Sequence, residues 1–83
     1  MTNEQAALRK VIWLDSAQVV RWHGPEDATY GPVKVTTVGW VLEETDEYIV
    51  LSSSVVFGDD YQAADAMSIP KVCIINDKKL NAR

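Results

Sequence analysis

The sequence predicts an all-β domain: a small, five-stranded, strongly bent barrel with a short helical extension at its N-terminus. Three observations carry this reading. Residues 33 to 57 hold two long runs of β-branched and aromatic residues, separated by the polar stretch Glu43 to Glu47, as in a hairpin. Gly-Pro, Gly-Asp and Pro-Lys steps cut the rest of the chain into segments too short for stable helices. Gly39 sits inside the first long run, where a residue without Cβ permits a bend or a close backbone approach.

Taken in order, residues 2 to 10 are good helix formers behind a capping residue. Thr2 and Gln5 match a capping box, and the acidic-early, basic-late order suits the helix dipole. Residues 1–10 are therefore expected to be the extension and 11–80 the barrel, within one domain spanning 1–83. Val11 to Leu14 reads as a short first strand, ended by Asp15-Ser16. Residues 15 to 32 are an irregular stretch, either a binding site or a lid over the barrel: Ser16 to Gly24 reads as one or two helical turns or as an extension of the first strand past a bulge, and Gly24-Pro25 and Gly31-Pro32 then bracket a polar loop. Val33 to Leu42 is the second strand, with Val33 and Val35 on one face and Val38, Trp40 and Leu42 on the other. That shift of apolar register near Gly39 is the mark of a strand that bends. Tyr48 to Phe57 is the third strand, with Ile49, Leu51, Val55 and Phe57 on one face. Gly58-Asp59-Asp60 turns the chain, Tyr61 to Asp65 is a polar connection, and Ala66 to Ile69 is the fourth strand. Pro70-Lys71 is too short for a hairpin loop and predicts one 3₁₀ turn. Val72 to Ile75 is the fifth strand, and Asn76 to Lys79 a closing turn.

Length and composition bound the function. A chain of 83 residues is one domain whose core is marginal. Eight basic against twelve acidic side chains give a net charge of −4, which argues against a nucleic-acid partner, since such proteins usually carry a basic surplus. The single cysteine, Cys73, fits a reducing compartment. No signal peptide is expected from the opening residues, and the apolar runs are too short to span a membrane. The expected location is the cytoplasm.

Gly39-x-Val41, Asp46-x-Tyr48-Ile49-x-Leu51 and Ile69-Pro70-Lys71-x-x-Ile74 resemble the pattern of small five-stranded Sm-like and Src-homology-3-like barrels over roughly residues 33 to 75. The overall pattern also resembles uncharacterised small proteins of tailed bacteriophages and prophages, whose setting is the bacterial cytoplasm. The resemblance implies a barrel with a tendency to assemble in rings. It does not carry RNA binding with it. Val50 stands where RNA-binding Sm proteins place an asparagine, and Pro70-Lys71 stands in place of their Arg-Gly pair.

No constellation in the chain predicts catalysis. His23 is the only histidine, and no nucleophile and acid accompany it at a triad spacing. One His and one Cys cannot close a structural zinc site, and Asp59-Asp60 and Glu43-Glu44 read as turn acids. Cys73, among apolar neighbours, reads as a buried structural thiol. No cofactor, metal or enzymatic activity is expected.

Three tryptophans exceed what so small a core needs, so one is expected to be exposed and able to stack on a planar ligand. Trp22, His23 and Tyr30 share the irregular loop, and Arg21, Lys34 and Lys71 are the cations that could join them against an anion. These six are the candidate ligand-binding residues. The leading expectation is a non-enzymatic oligomeric binding or assembly protein whose partners are copies of itself and a host protein. The alternatives are sequestration of a small anionic nucleotide signal between subunits, and an RNA-binding Sm-like ring. Two subunit contacts are open: the strand ending at Phe57 against Val72 to Ile75 of a neighbour, or a dimer through the tryptophan-bearing loop.

Overall fold

The computed structural model describes residues 7–16, 22–26 and 31–80. It holds five strands: β1 (Leu8–Asp15), β2 (Val33–Glu44), β3 (Tyr48–Val56), β4 (Gln62–Pro70) and β5 (Ile74–Leu80), with a 3₁₀ turn, Lys71–Cys73, between the last two. All pair antiparallel in one sheet of order β4-β3-β2-β1-β5. The fold is all-β with five strands, as the alternation predicted.

β2 organises the sheet because it serves two partners in turn. Val33 to Trp40 pair with β1, whereas Trp40 to Glu44 pair with β3. The handover falls beside Gly39. A Cβ on Gly39 would lie 2.8 Å from the Ser52 carbonyl oxygen and 3.1 Å from Leu51 Cβ. The strands therefore approach more closely there than any side chain allows. A register shift between Val41 and Glu43 follows at once, so the bend expected at Gly39 is divided between a close contact and a bulge at Leu42.

The core lies on the concave side. Val11 and Trp13 of β1, Ile49 and Leu51 of β3 and Ile69 of β4 are buried together, with Val35, Val41 and Ile74 packed around them. A flat sheet in this order would hold β1 and β4 roughly 14 Å apart. Val11 and Ile69 share one cluster, so the sheet curls over its own inner face. Trp13 donates its indole N–H to Thr37 Oγ1 at 3.0 Å, which removes the cost of burying that polar group. β4 and β5 do not pair, and among the described residues the sheet remains open. Beyond Ser52, β3 pairs with β4 alone. This free half of the hairpin adds no residue to the buried cluster.

Four boundaries differ from the sequence reading. Leu8, Arg9 and Lys10 begin β1 and do not end a helix, because Leu8 pairs with Trp40 on one side and Leu80 on the other; residues 1–6 lie outside the described residues. Gln62 to Asp65, expected as a connection, extend β4, since Gln62, Ala63 and Ala64 pair with Val56, Val55 and Ser54. Val72 and Cys73 belong to the 3₁₀ turn. Asn76 to Lys79, expected as a turn, are the middle of β5, held by the ladder to Arg9 through Ile12. At residues 62–65 and 76–79, long-range pairing overrides a polar, turn-like local sequence.

Candidate functional site

Four of the six candidate residues fall among the described residues, and Lys34 and Lys71 lie apart. Arg21 and Tyr30 lie outside the described residues. Trp22 is fully exposed at 104%, and His23 is exposed beside it. Lys34 stands at the N-terminal end of β2, opposite Leu14 of β1. Lys71 lies in the 3₁₀ turn, where its Nζ contacts Glu44 Oε2 at 2.8 Å. Glu44 is the last residue of β2, so Lys34 and Lys71 face opposite ends of a strand roughly 30 Å long and do not meet.

Lys71 belongs instead to an ionic cluster that the sequence reading missed. Arg9 contacts Glu44 Oε1 at 2.8 Å and Asp77 Oδ2 at 2.7 Å, and its side chain is only 13% exposed. The cluster thus ties β1, β2, β5 and the 3₁₀ turn at one end of the core. The hydrogen bond from Lys71 holds the Glu44 carboxyl below the usual carboxylate range; partial burial opposes this, and Arg9 adds to it. Both terminal nitrogens of Arg9 are bonded, whereas its Nε is enclosed without a partner. The arrangement is structural in character: each charge is neutralised within it. The lone signal available in sequence was Arg9 at an inward-facing strand position.

The turn between β2 and β3 is built by Thr45, whose Oγ1 accepts the N–H groups of Glu47 and Tyr48 at 3.1 Å. Tyr48 donates its phenol to the Glu43 carboxylate, and this bond pushes the phenol pKa up. Cys73 is half-buried in the 3₁₀ turn, not fully buried as expected. Among the described residues no group of His, Cys, Asp and Glu could hold a metal ion, and no helix is long and apolar enough to cross a membrane.

Two surfaces stand out. The first is an aromatic run. Trp40 of β2 meets Phe57 edge-to-face at 5.4 Å, and Phe57 meets Tyr61 at 6.0 Å. Phe57 therefore leaves the face it was expected to share with Ile49 and Leu51 and crosses to the outer side. A shallow cleft of about 150 Å³ runs beside it along the free half of the hairpin, between Ser54–Val56 and Gln62–Ala64.

The second surface is the free edge of β4, where every residue except Ile69 is exposed. Asp65 interrupts this strand with φ 57°, a left-handed conformation that aspartate tolerates better than most residues. The buried Ser52 hydroxyl answers the kink. It lies 2.5 Å from the Ala64 carbonyl and 2.8 Å from the Ser54 carbonyl, and accepts the Ser54 N–H at 3.3 Å. No protein-family model matches this chain, and no curated protein or solved structure is significantly similar to it.

Proposed function

We propose that this chain is a non-enzymatic assembly protein that associates with copies of itself through its sheet edges. The observation that carries the reading is the pair of edges, β4 and β5, that stand unpaired among the described residues at the two ends of an open sheet. Unpaired strand edges present N–H and C=O groups that a neighbouring strand can satisfy. β4 has little to discourage such pairing: Asp65 is its only charge, and its proline stands at the very end, at Pro70. The strand order, and the 3₁₀ turn between β4 and β5, support the finer reading of a small bent barrel of the Sm-like kind.

Charge selects how the edges meet. Two β4 strands would bring Asp65 towards Asp65, and two β5 strands would bring Lys78-Lys79 towards the same pair. β4 against β5 avoids both. Of the antiparallel registers that keep the two concave faces continuous, charge favours the one with Asp65 opposite Lys79 over the one with Asp65 opposite Asp77, all three being inward positions of their strands. Such head-to-tail contacts close into a ring when the rotation permits. We place the contact on β4 rather than on the strand ending at Phe57, because β3 is paired with β4 along its whole length.

Light scattering at micromolar concentration tests the proposal. An assembly of several 9.3 kDa subunits is expected, and Lys79→Glu should shift it towards smaller species. A monomer at that concentration would overturn the reading.

A further inference from the structure

The registers of β1 with β2 and β5 sort the charges of this acidic chain by face. Residues directly opposite one another share a face. Val11 and Trp13 mark the inner side of β1, so Lys10, Ile12 and Leu14 lie on the outer side. Lys10 is directly opposite Lys78 of β5 and Val38 of β2, and Leu14 is opposite Lys34. The outer side therefore carries Lys78, Lys10 and Lys34, all exposed. The strand carboxylates Asp15, Glu44, Asp65 and Asp77 occupy inward positions. Glu43 is the exception, at the β2–β3 end, where it accepts the Tyr48 hydroxyl.

Lys10 and Lys78 are an unusual pair. Directly opposed side chains have Cβ atoms about 5 Å apart, and like charges placed so are destabilising. On the inner side, Arg9 also faces a lysine, Lys79, but two carboxylates neutralise it. No carboxylate among the described residues does so for Lys10 or Lys78. The next row of the same face holds Leu80, Leu8, Trp40 and Ser52. Trp40 is thus diagonal to Lys10, and Phe57, 40% exposed, stands edge-on to it. Cations beside ring faces on an open sheet surface are the two components of a site for unpaired bases and their phosphates.

We infer that the outer face of β5, β1 and β2 binds single-stranded nucleic acid, with Lys78, Lys10 and Lys34 on the phosphates and the Trp40–Phe57 rings against the bases. From Lys34 to Trp40 the face runs about 20 Å along β2, which suits several nucleotides in a chain and exceeds a mononucleotide. The surface is the convex back of the curled sheet and, among the described residues, presents no element that could enter a duplex groove, whereas rings at the surface require bases free of pairing. Asp59 and Asp60, in the turn beyond Phe57, end the phosphate track on that side; their carboxylates can accept base amino groups. Edge pairing of β4 with β5 leaves this face open, so the inference stands apart from the assembly proposal. It also reverses the expectation drawn from net charge, which cannot register a separation of charge by face.

Fluorescence anisotropy with labelled oligothymidylate and oligouridylate, titrated against salt, tests it on the whole chain. Saturable binding is expected at low ionic strength. Lys10→Gln/Lys78→Gln should weaken it and reduce the slope of log affinity against log salt by about 1.4, the value for two lost phosphate contacts on a single strand. Phe57→Ala should weaken binding by about tenfold, the loss of one stacked base. The double lysine variant removes a repulsion, so its melting temperature should hold or rise, which separates lost binding from lost folding. Absence of saturable binding at low salt would overturn the inference. So would binding unchanged in the double variant, equal affinity for duplex, or a preference for vesicles of acidic phospholipid.

Discussion

Gly39 and Ser52 face each other where β2 passes from one partner to the other. Adding a Cβ to Gly39 forces it against backbone, which cannot swing aside as a side-chain tip would. Gly39→Ala should therefore destabilise the fold by about 1–3 kcal/mol, read as a lower midpoint in urea. The position was visible in the sequence as a glycine in a strand; that the obstacle is the Ser52 carbonyl was not, because the contact joins residues on different strands. Ser52 itself looked like one of three interchangeable serines. Its hydroxyl is the group that satisfies the Ala64 carbonyl beside the left-handed Asp65. Ser52→Ala should cost about 1 kcal/mol by removing the hydrogen bond of a buried hydroxyl, whereas Ser53→Ala, at an exposed position, should be nearly neutral by the same measurement.

Among the elements, the end of β2 is held by charge rather than by apolar burial. Glu44 receives Lys71 and Arg9, and its carboxyl titrates below the ordinary value because its charged form is the bonded one. A carboxyl depressed in the folded state adds stability above its unfolded pKa, near 4.3, and loses it as pH falls through the folded pKa. Glu44→Gln should therefore lower the melting temperature near neutral pH, and the difference from the parent should shrink as pH falls below about 4.3 and be gone once pH is below the depressed folded pKa. The effect is expected to be small, about 0.5 kcal/mol, since the side chain is one-third exposed and solvent screens the pair. A larger loss is expected for Arg9→Met/Asp77→Asn if the cluster fixes β5 to β1, read as faster hydrogen exchange along Ile74–Leu80 than elsewhere. The strands were legible: five were expected and five are present among the described residues, whereas the helix expected over residues 2–10 gives way at Leu8 to β1. The strand ends were not legible. β4 and β5 both continue through polar stretches that any local rule assigns to turns, because a ladder partner supplies what their side chains do not.

The whole molecule combines a small core with a long, open sheet. Five buried apolar side chains are few for a chain of this length, and the free half of the β3–β4 hairpin contributes almost nothing to them. Association through β4 would enclose that edge, so the assembled protein should melt at a higher temperature as concentration rises; a melting temperature independent of concentration would count against assembly. At this scale net charge conceals how charge is distributed. A surplus of acids distributed over the inner face, the ends and the turns leaves an outer face of lysines, and only the register reveals it.

The sequence alone determined that the chain is all-β, that it has five strands, that a 3₁₀ turn follows Pro70 and that Gly39 could not be an ordinary strand residue. These follow from local physics: side-chain branching, proline and glycine dihedrals, and two-residue periodicity act within a few positions of one another. The tertiary structure decided the rest. It placed Lys71 on Glu44, crossed Phe57 over to Trp40, set Lys10 beside Lys78 and, among the described residues, left β4 as an edge. Each of these joins residues far apart in the chain, and pairing register, which no single segment encodes, chooses which of them meet.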